Sequence, residues 1–449
     1  MKKSQHFHFG SHKKFLLLLG SLFFITNCKQ WAVDPEVQLG LVLLTAILSF
    51  IIIFTRPIIG VYSVLVTSIF FNPKMHIGLS NIYLHQWIIL IALIASISSS
   101  LILENLSLRM ESEINLSLML FLGGILLSLG HAPHLRVGIK WFFYLGVFFG
   151  SYYVFILSVS KKRQLEIFIS MLILLTFVIC VISLIKGGSG RLGSIVLWNP
   201  NAFGNFLALV IPFCIGLIFY GKFPQGKKVL IVIAVIPMLI ALVLTFSRSS
   251  WSGVLGGLLL LYLRKPKFSY TMFICFILAV IFLISPINKR LFKDFDDPGA
   301  QYRIAKAKIA IQKFKSNPIF GNGLGSFHYD AQYSDVWAYR AHSSLENIYL
   351  LMLVEGGIIK LVTFLLFVFS YLKMVFKQLN RLRRPFDIAV TLGAFSSFVS
   401  MLCSGLFEGT LYNPQYNWLI GMVVACPIVV RRLYKEELNN QKDTDSEEL

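Results

Sequence analysis

Apolar runs broken by short polar connectors repeat along the chain, and their lengths carry more information than their internal periodicity. A bilayer core about 30 Å thick asks for about 20 apolar residues per helix. About 14 runs approach that length, at 15–27, 37–54, 57–71, 85–103, 114–130, 139–159, 164–185, 202–220, 228–246, 251–263, 268–286, 348–373, 387–407 and 415–432. The first, third and tenth are short. The pattern predicts an all-α integral membrane protein with about 12–14 transmembrane helices. One connector is long, dividing the chain into N-terminal membrane helices (1–286), a large loop (287–347), C-terminal membrane helices (348–432) and a tail (433–449).

Composition agrees with this reading. Hydrophobic residues make up 56% of the 449 positions and charged ones 14%, with a mean hydropathy of +0.73, which excludes soluble and disordered classes. The aromatic share is carried by 40 Phe against 7 Trp and 17 Tyr, as expected where side chains face lipid and only the interfaces favour amphipathic rings. A net charge of +20 would point to nucleic acid in a soluble protein, but here placement explains it. The basic connectors SKKR (160–163), GKFPQGKK (221–228), RKPK (264–267) and KQLNRLRRPF (377–386) fall on one side of the membrane, which the positive-inside rule makes cytoplasmic. With both termini there, that side holds about 24 of the 41 Lys and Arg, against about 7 in the opposite short loops. Nucleic acid is therefore not an expected partner, whereas membrane lipids are.

The six Cys lack metal or disulfide spacing and read as small core residues. The N-terminus has a basic region, an apolar region and Cys28, the layout of a lipoprotein signal. An uncleaved first helix gives the same downstream orientation.

The long loop faces away from the cytoplasm. It contains the amphipathic stretch YRIAKAKIAIQKFKS (302–316), followed by the turn-rich NPIFGNGLGSF (317–327). Ile304, Lys308, Ile311 and Lys315 lie along one side of the stretch, which suits a helix in the headgroup layer or a solvated basic helix. DFDDPG (294–299) reads as a turn.

Candidate chemistry gathers at the same face. GGSGRLGSIVLWNPNAFGNF (187–206), FSRSSW (246–251) and AHSSLENIYLLMLVEGG (341–357) each meet it, so Arg191, Arg248 and Arg303 can converge on one cavity. Arg248 sits in a four-residue gap between apolar runs, where an unpaired guanidinium costs a few kcal/mol. Its planar fork suits bidentate recognition of diphosphate oxygens, or it snorkels to lipid phosphates. His342 and Glu346 are one turn apart on a helix face, so a carboxylate-oriented imidazole could deprotonate a sugar hydroxyl. Glu355 and Lys360 lie deeper. Their spacing of five places them about 140° apart on a continuous helix, so no direct pair is expected. HExxH, P-loop and metal-ligand spacings are absent from the sequence, which fits a metal-independent, cofactor-free transfer from a preactivated membrane-borne donor.

At these residues the sequence resembles the O-antigen ligase and polymerase family of polytopic bacterial glycosyltransferases. The resemblance covers roughly 187–373 and rests on Arg191 followed by NPNAFG, SR before a helix in FSRSSW, an Arg ahead of NPIFGNGLGSF, and a helix opening in His or Asn and running to ExG. The stretch TRPIIGVYSVLVTSIFFNP (55–73) also resembles members associated with exosortase systems. The family implies a GT-C-like fold whose periplasmic loop covers a cavity for an undecaprenyl-diphosphate-linked glycan. It further implies arginines equivalent to Arg191 and Arg248 or Arg303 holding the diphosphate, and a His activating an acceptor on lipid A core, glycan or protein. Aligning Asn347 with the family's Asn keeps the spacing to Glu355, but puts Glu346 where His is expected and Lys360 where Gly is expected. The base is then His342 or Glu346, with Asn347 and Glu355 in support. The expected activity is O-antigen ligase in the inner membrane with a periplasmic active face. A repeat-unit polymerase is the nearest alternative, and a lipid-linked saccharide transporter is an alternative of another class.

Overall fold

The computed structural model describes residues 47–70, 74–77, 80–103, 112–187, 191–193, 199–264, 298–333 and 345–447. It is an all-α polytopic membrane protein, with eight helices among the described residues long and apolar enough to cross a bilayer. The runs predicted at 15–27 and 268–286 lie outside the described residues, as do most of the run at 37–54 and positions 294–297 of DFDDPG, whose Pro298 and Gly299 belong to a helix.

The chain forms two compact units that do not follow chain order. The first comprises 1–110, 149–179 and 428–449. Its helix α1 (Ile58–Phe70) and helix α2 (Leu84–Leu103) flank an antiparallel hairpin, β1 (Lys74–Ile77) and β2 (Ser80–Tyr83), that apolar run lengths did not predict. Helices α1 and α2 pack closely because Gly60 faces Ala92; a methyl group at Gly60 would lie 2.8 Å from the Ala92 side chain. Helix α4 (Leu135–Ser158) ends in this unit and α5 (Lys162–Lys186) begins there. The Gln164 amide oxygen, in the first turn of α5, reaches back to accept the Ser160 and Lys161 N–H groups at 2.8 and 3.0 Å, as the third helical residue of a capping box does. At the end of α4, Arg432 donates to the Ile156 carbonyl at 2.8 Å and to that of Val159. Its guanidinium thus satisfies helix-end carbonyls that have no intrahelical partner.

The second unit comprises 111–148 and 180–427. It contains α3 (Ser112–Gly130), α6 (Pro200–Tyr220), α7 (Gln225–Leu244), α8 (Arg248–Arg264), α9 (Pro298–Ser316), α10 (Ser326–Tyr333), α11 (Ile348–Leu379), α12 (Pro385–Ser404), a 3-10 turn (Thr410–Tyr412) and the start of α13 (Asn417–Glu447). Helices α6, α8 and α12 form a core built on small residues. Gly216 faces Gly393, Gly253 faces Ser400 and Gly257 faces Ser396. Close approach lets hydroxyls reach neighbouring backbones: Ser396 donates to Gly257 at 2.7 Å, Ser397 to Leu209 at 2.6 Å and Ser400 to Ala208 at 2.6 Å. In lipid, where apolar burial does not drive helices together, such packing and hydrogen bonding hold the core.

Candidate functional site

The site is organised by a break in α11. Gly357 has φ 63° and ψ −161°, a backbone state open essentially to Gly alone, and it interrupts the helical ladder. The stretch following α9 occupies the gap. Ile358 N donates to Pro318 O at 2.9 Å, Asn322 N to Val354 O at 2.8 Å and Gly323 N to Glu355 O at 3.0 Å, so the broken backbone is satisfied by the loop. Gly321, Gly323 and Gly325 all have positive φ, which explains the glycine spacing in NPIFGNGLGSF. Gly321 is also sterically required, since an added Cβ would lie 2.5 Å from the backbone of residues 355–357.

The same break corrects the expected separation of Glu355 and Lys360. Both are fully buried, and Lys360 Nζ lies 3.4 Å from Glu355 Oε2, because the non-helical Gly357 removes the angular offset of a continuous helix. Gly325 N donates to Glu355 Oε1 at 3.0 Å, and Lys360 Nζ lies 5.2 Å above the Tyr412 ring. His328, on α10, stands 4.0 Å from Glu355 and packs against Trp141. Burial, with Lys140 and Lys306 nearby, lowers the His328 pKa to about 3, leaving a neutral imidazole at physiological pH. This cluster binds the loop to α11.

Next to it is a cluster rich in cations. On α9, Arg303 Nε pairs with Glu346 Oε2 at 2.9 Å, and Lys306 Nζ lies 3.9 Å from the other oxygen of Glu346. Lys306 is only 1% exposed; burial lowers its pKa, against a raising effect from Glu346. Asn347 caps α11, accepting from Leu350 N at 2.9 Å, and donates to Leu406 O at 3.0 Å. With Ile348 N donating to Gly405 O at 2.9 Å, this ties the start of α11 to the turn after α12, which carries Glu408. Burial and Glu346 raise the Glu408 pKa to about 7, against the lowering effects of Arg303, Arg191 and Lys306. Arg191, Arg303, Lys306, Glu346 and Glu408 therefore share one electrostatic neighbourhood.

Arg191 is held from the α7–α8 side. Its Nε donates to Thr245 O at 2.9 Å and its Nη2 to Asn201 Oδ1, while Leu192 N donates to Leu244 O at 2.9 Å. Asn199 caps α6, accepting from Ala202 N at 2.8 Å, with Pro200 at the first helical position. The NPNAFG segment thus builds a helix start and supplies an Arg191 partner. Three residues beyond Thr245, Arg248 opens α8 and is exposed. Between them Phe246 has φ 50°, a costly state for a side-chain-bearing residue. Ser247, Ser249 and Ser250 form a hydroxyl network reaching Asn205.

Of the residues expected from sequence, Arg191, Arg303 and Glu346 come together, with Asn347 bracing them and Glu355 beneath in the neighbouring cluster. Arg248 is at the same helix turn as the Arg191 anchor. His342 lies outside the described residues. Lys306, His328, Glu408 and Tyr412 were not anticipated. Glu408 directly follows the apolar run ending at 407, and its position at a span end was the available signal. On α9, Ile304, Lys308, Ile311 and Lys315 are all exposed, in keeping with a mixed apolar and basic outer side.

Three cations facing two carboxylates leave a surplus of positive charge suited to an anionic group. Residues 233–365 match the model of the Wzy_C family, described as O-antigen ligase. The match contains Arg248, Arg303, His342, Glu346, Asn347 and Glu355, and leaves Arg191 and Glu408 outside it. No curated protein matches the chain.

Proposed function

We propose, on the premise that residues 233–365 belong to the O-antigen ligase family, that the chain is an inner-membrane glycosyltransferase. It moves a glycan from an undecaprenyl-diphosphate carrier to an acceptor hydroxyl on lipid A core, another glycan or a protein. In this reading the loop 287–347 covers a periplasmic cavity in a GT-C-like arrangement. The observation that carries the proposal is the gathering of Arg191, Arg303 and Lys306 around Glu346 and Glu408.

The chemistry follows from that charge distribution. As the bond from the anomeric carbon to the diphosphate breaks, negative charge grows on the departing oxygens. Arg191, Arg303 and Lys306, with Arg248 at the rim, stabilise it, each preorganised donor contributing a few kcal/mol in a water-poor site. Glu346 is engaged by Arg303, which suits it to orienting the cations. The acceptor must also lose a proton at this face, and His342 and Glu346 are the bases suggested by sequence. The reaction requires neither metal nor cofactor in this scheme.

Polymerase chemistry would use the same cations, so the acceptor decides between the two activities. A deletion strain tests both. Long glycans left on the carrier identify a ligase, and single repeats identify a polymerase. An unchanged carrier pool with intact surface glycan would overturn the reading and return attention to transport. Arg191→Ala and Arg303→Ala should each reduce transfer about 10²-fold at normal membrane levels.

A further inference from the structure

We propose that Glu408 is the general base that takes the proton from the acceptor hydroxyl, an inference that rests on the transferase reading above. Glu408 stands in the turn between α12 and the 3-10 segment, fixed beside the start of α11 by the Asn347–Leu406 and Ile348–Gly405 hydrogen bonds. Gly409 is part of the same junction, its Cβ position lying 3.4 Å from the Leu345 carbonyl. The two carboxylates of the cluster are therefore held next to each other but are used differently. Glu346 is paired with Arg303 and approached by Lys306. Glu408 Oε2 is buried and has no hydrogen-bond partner among the described residues.

A buried carboxylate oxygen without a donor is costly unless something brings one, and an acceptor hydroxyl is such a donor. The groups facing Glu408 come from every element around it: Glu346 before α11, Arg303 and Lys306 on α9, Arg191 before α6, and Tyr416, beside Asn205, before α13. The cations that would hold the leaving diphosphate act on the same carboxylate, so donor and acceptor can be bound within one site, with the acceptor oxygen on the face of the anomeric carbon opposite the diphosphate. Glu408 also has its pKa raised to about 7 by burial and Glu346, so at neutral pH a large share is ionised yet basic enough to accept a proton. In the step, the acceptor oxygen forms a bond to the anomeric carbon while its proton passes to Glu408. The bond from that carbon to the diphosphate oxygen breaks, and its electron pair leaves with the diphosphate. Glu408 then returns its proton to water.

The test uses the full chain in native membrane vesicles carrying the cell's own polyprenyl-diphosphate glycan, with release of undecaprenyl diphosphate followed across pH 5–9. Binding of undecaprenyl diphosphate alone is measured in parallel. Glu408→Gln should bind the carrier within threefold of wild type, turn over about 100-fold more slowly, and lose the acid limb of the rate profile near pH 7. Glu408→Asp should keep a weakened acid limb, and Glu408→Ala should regain turnover in formate. His342→Ala should retain that limb. The proposal is overturned if Glu408→Gln turns over within threefold of wild type or keeps the acid limb. It is equally overturned if the limb disappears in His342→Ala instead, or if Glu408→Ala gains nothing from formate. Failure of wild-type vesicles to bind the carrier or release it would instead sink the transferase reading itself.

Discussion

Replacing Gly357 with Ala tests whether the break in α11 is a structural requirement. At φ 63° and ψ −161° a side-chain-bearing residue is strained, and the new methyl group would lie 2.1 Å from the Ile319 carbonyl oxygen. Neither atom can yield alone, because both are backbone-anchored. Relief requires the loop to retreat, which takes with it the Ile358–Pro318, Asn322–Val354 and Gly323–Glu355 bonds. The dihedral strain costs about 1–3 kcal/mol and each lost bond about 0.5–1.5, together roughly 3–7 kcal/mol. Thermal unfolding in detergent, with protease cleavage within 317–327 as a local probe, reads this directly. Gly123→Ala is the control, since its methyl group would meet nothing within 4 Å on α3. It should be neutral or gain up to about 1 kcal/mol. A Gly357→Ala protein that unfolds with the control and resists cleavage would refute the account of the loop as the replacement for the helical ladder.

Three further outcomes are expected. Glu355→Gln or Lys360→Met alone should destabilise by about 3–5 kcal/mol by leaving a buried charge unpaired, whereas the double substitution should recover much of that loss in the same unfolding assay. Glu408 has a folded-state pKa raised to about 7, so its contribution to stability is fully present at acid pH and declines between about pH 4.5 and 7, where the unfolded chain has released a proton that the folded protein still holds. Glu408→Gln should therefore unfold at higher temperature than wild type at pH 8, with the gain absent at pH 4. Arg303→Lys should fail to restore transfer in a cellular glycan assay, since an ammonium cannot keep the planar contact with Glu346 while also facing a diphosphate.

Run length alone located most membrane helices. The stretch predicted at 164–185 is α5 at Lys162–Lys186, and 202–220 is α6 at Pro200–Tyr220. Such helices are legible because bilayer thickness dictates a local property of the chain. The hairpin at 74–83 was not, because its strands are only four residues each and fall between apolar runs. Arg191, Arg303 and Glu346 were recognisable as polar groups at one face. Their partners were not, because Glu408 lies 62 residues beyond Glu346 and reaches it only through the α11–α12 junction. The Glu355–Lys360 pair was concealed for another reason. Angular spacing assumes a continuous helix, and the glycine that breaks it reveals its conformation only when the loop docks.

The grip of Arg432 on the end of α4 bears on biogenesis. The two carbonyls it satisfies lie 276 and 273 residues earlier in the chain. At 5–20 residues per second, synthesis leaves them waiting roughly 14–55 s for their donor. During that interval α4 is already threaded while its terminal carbonyls depend on water, lipid headgroups or the insertion machinery. Helix α13 is thus a late clasp on α4. A nascent chain arrested before Arg432 would leave that end of α4 unlatched, and pulse-chase proteolysis of such arrested chains would show it as a cleavable site.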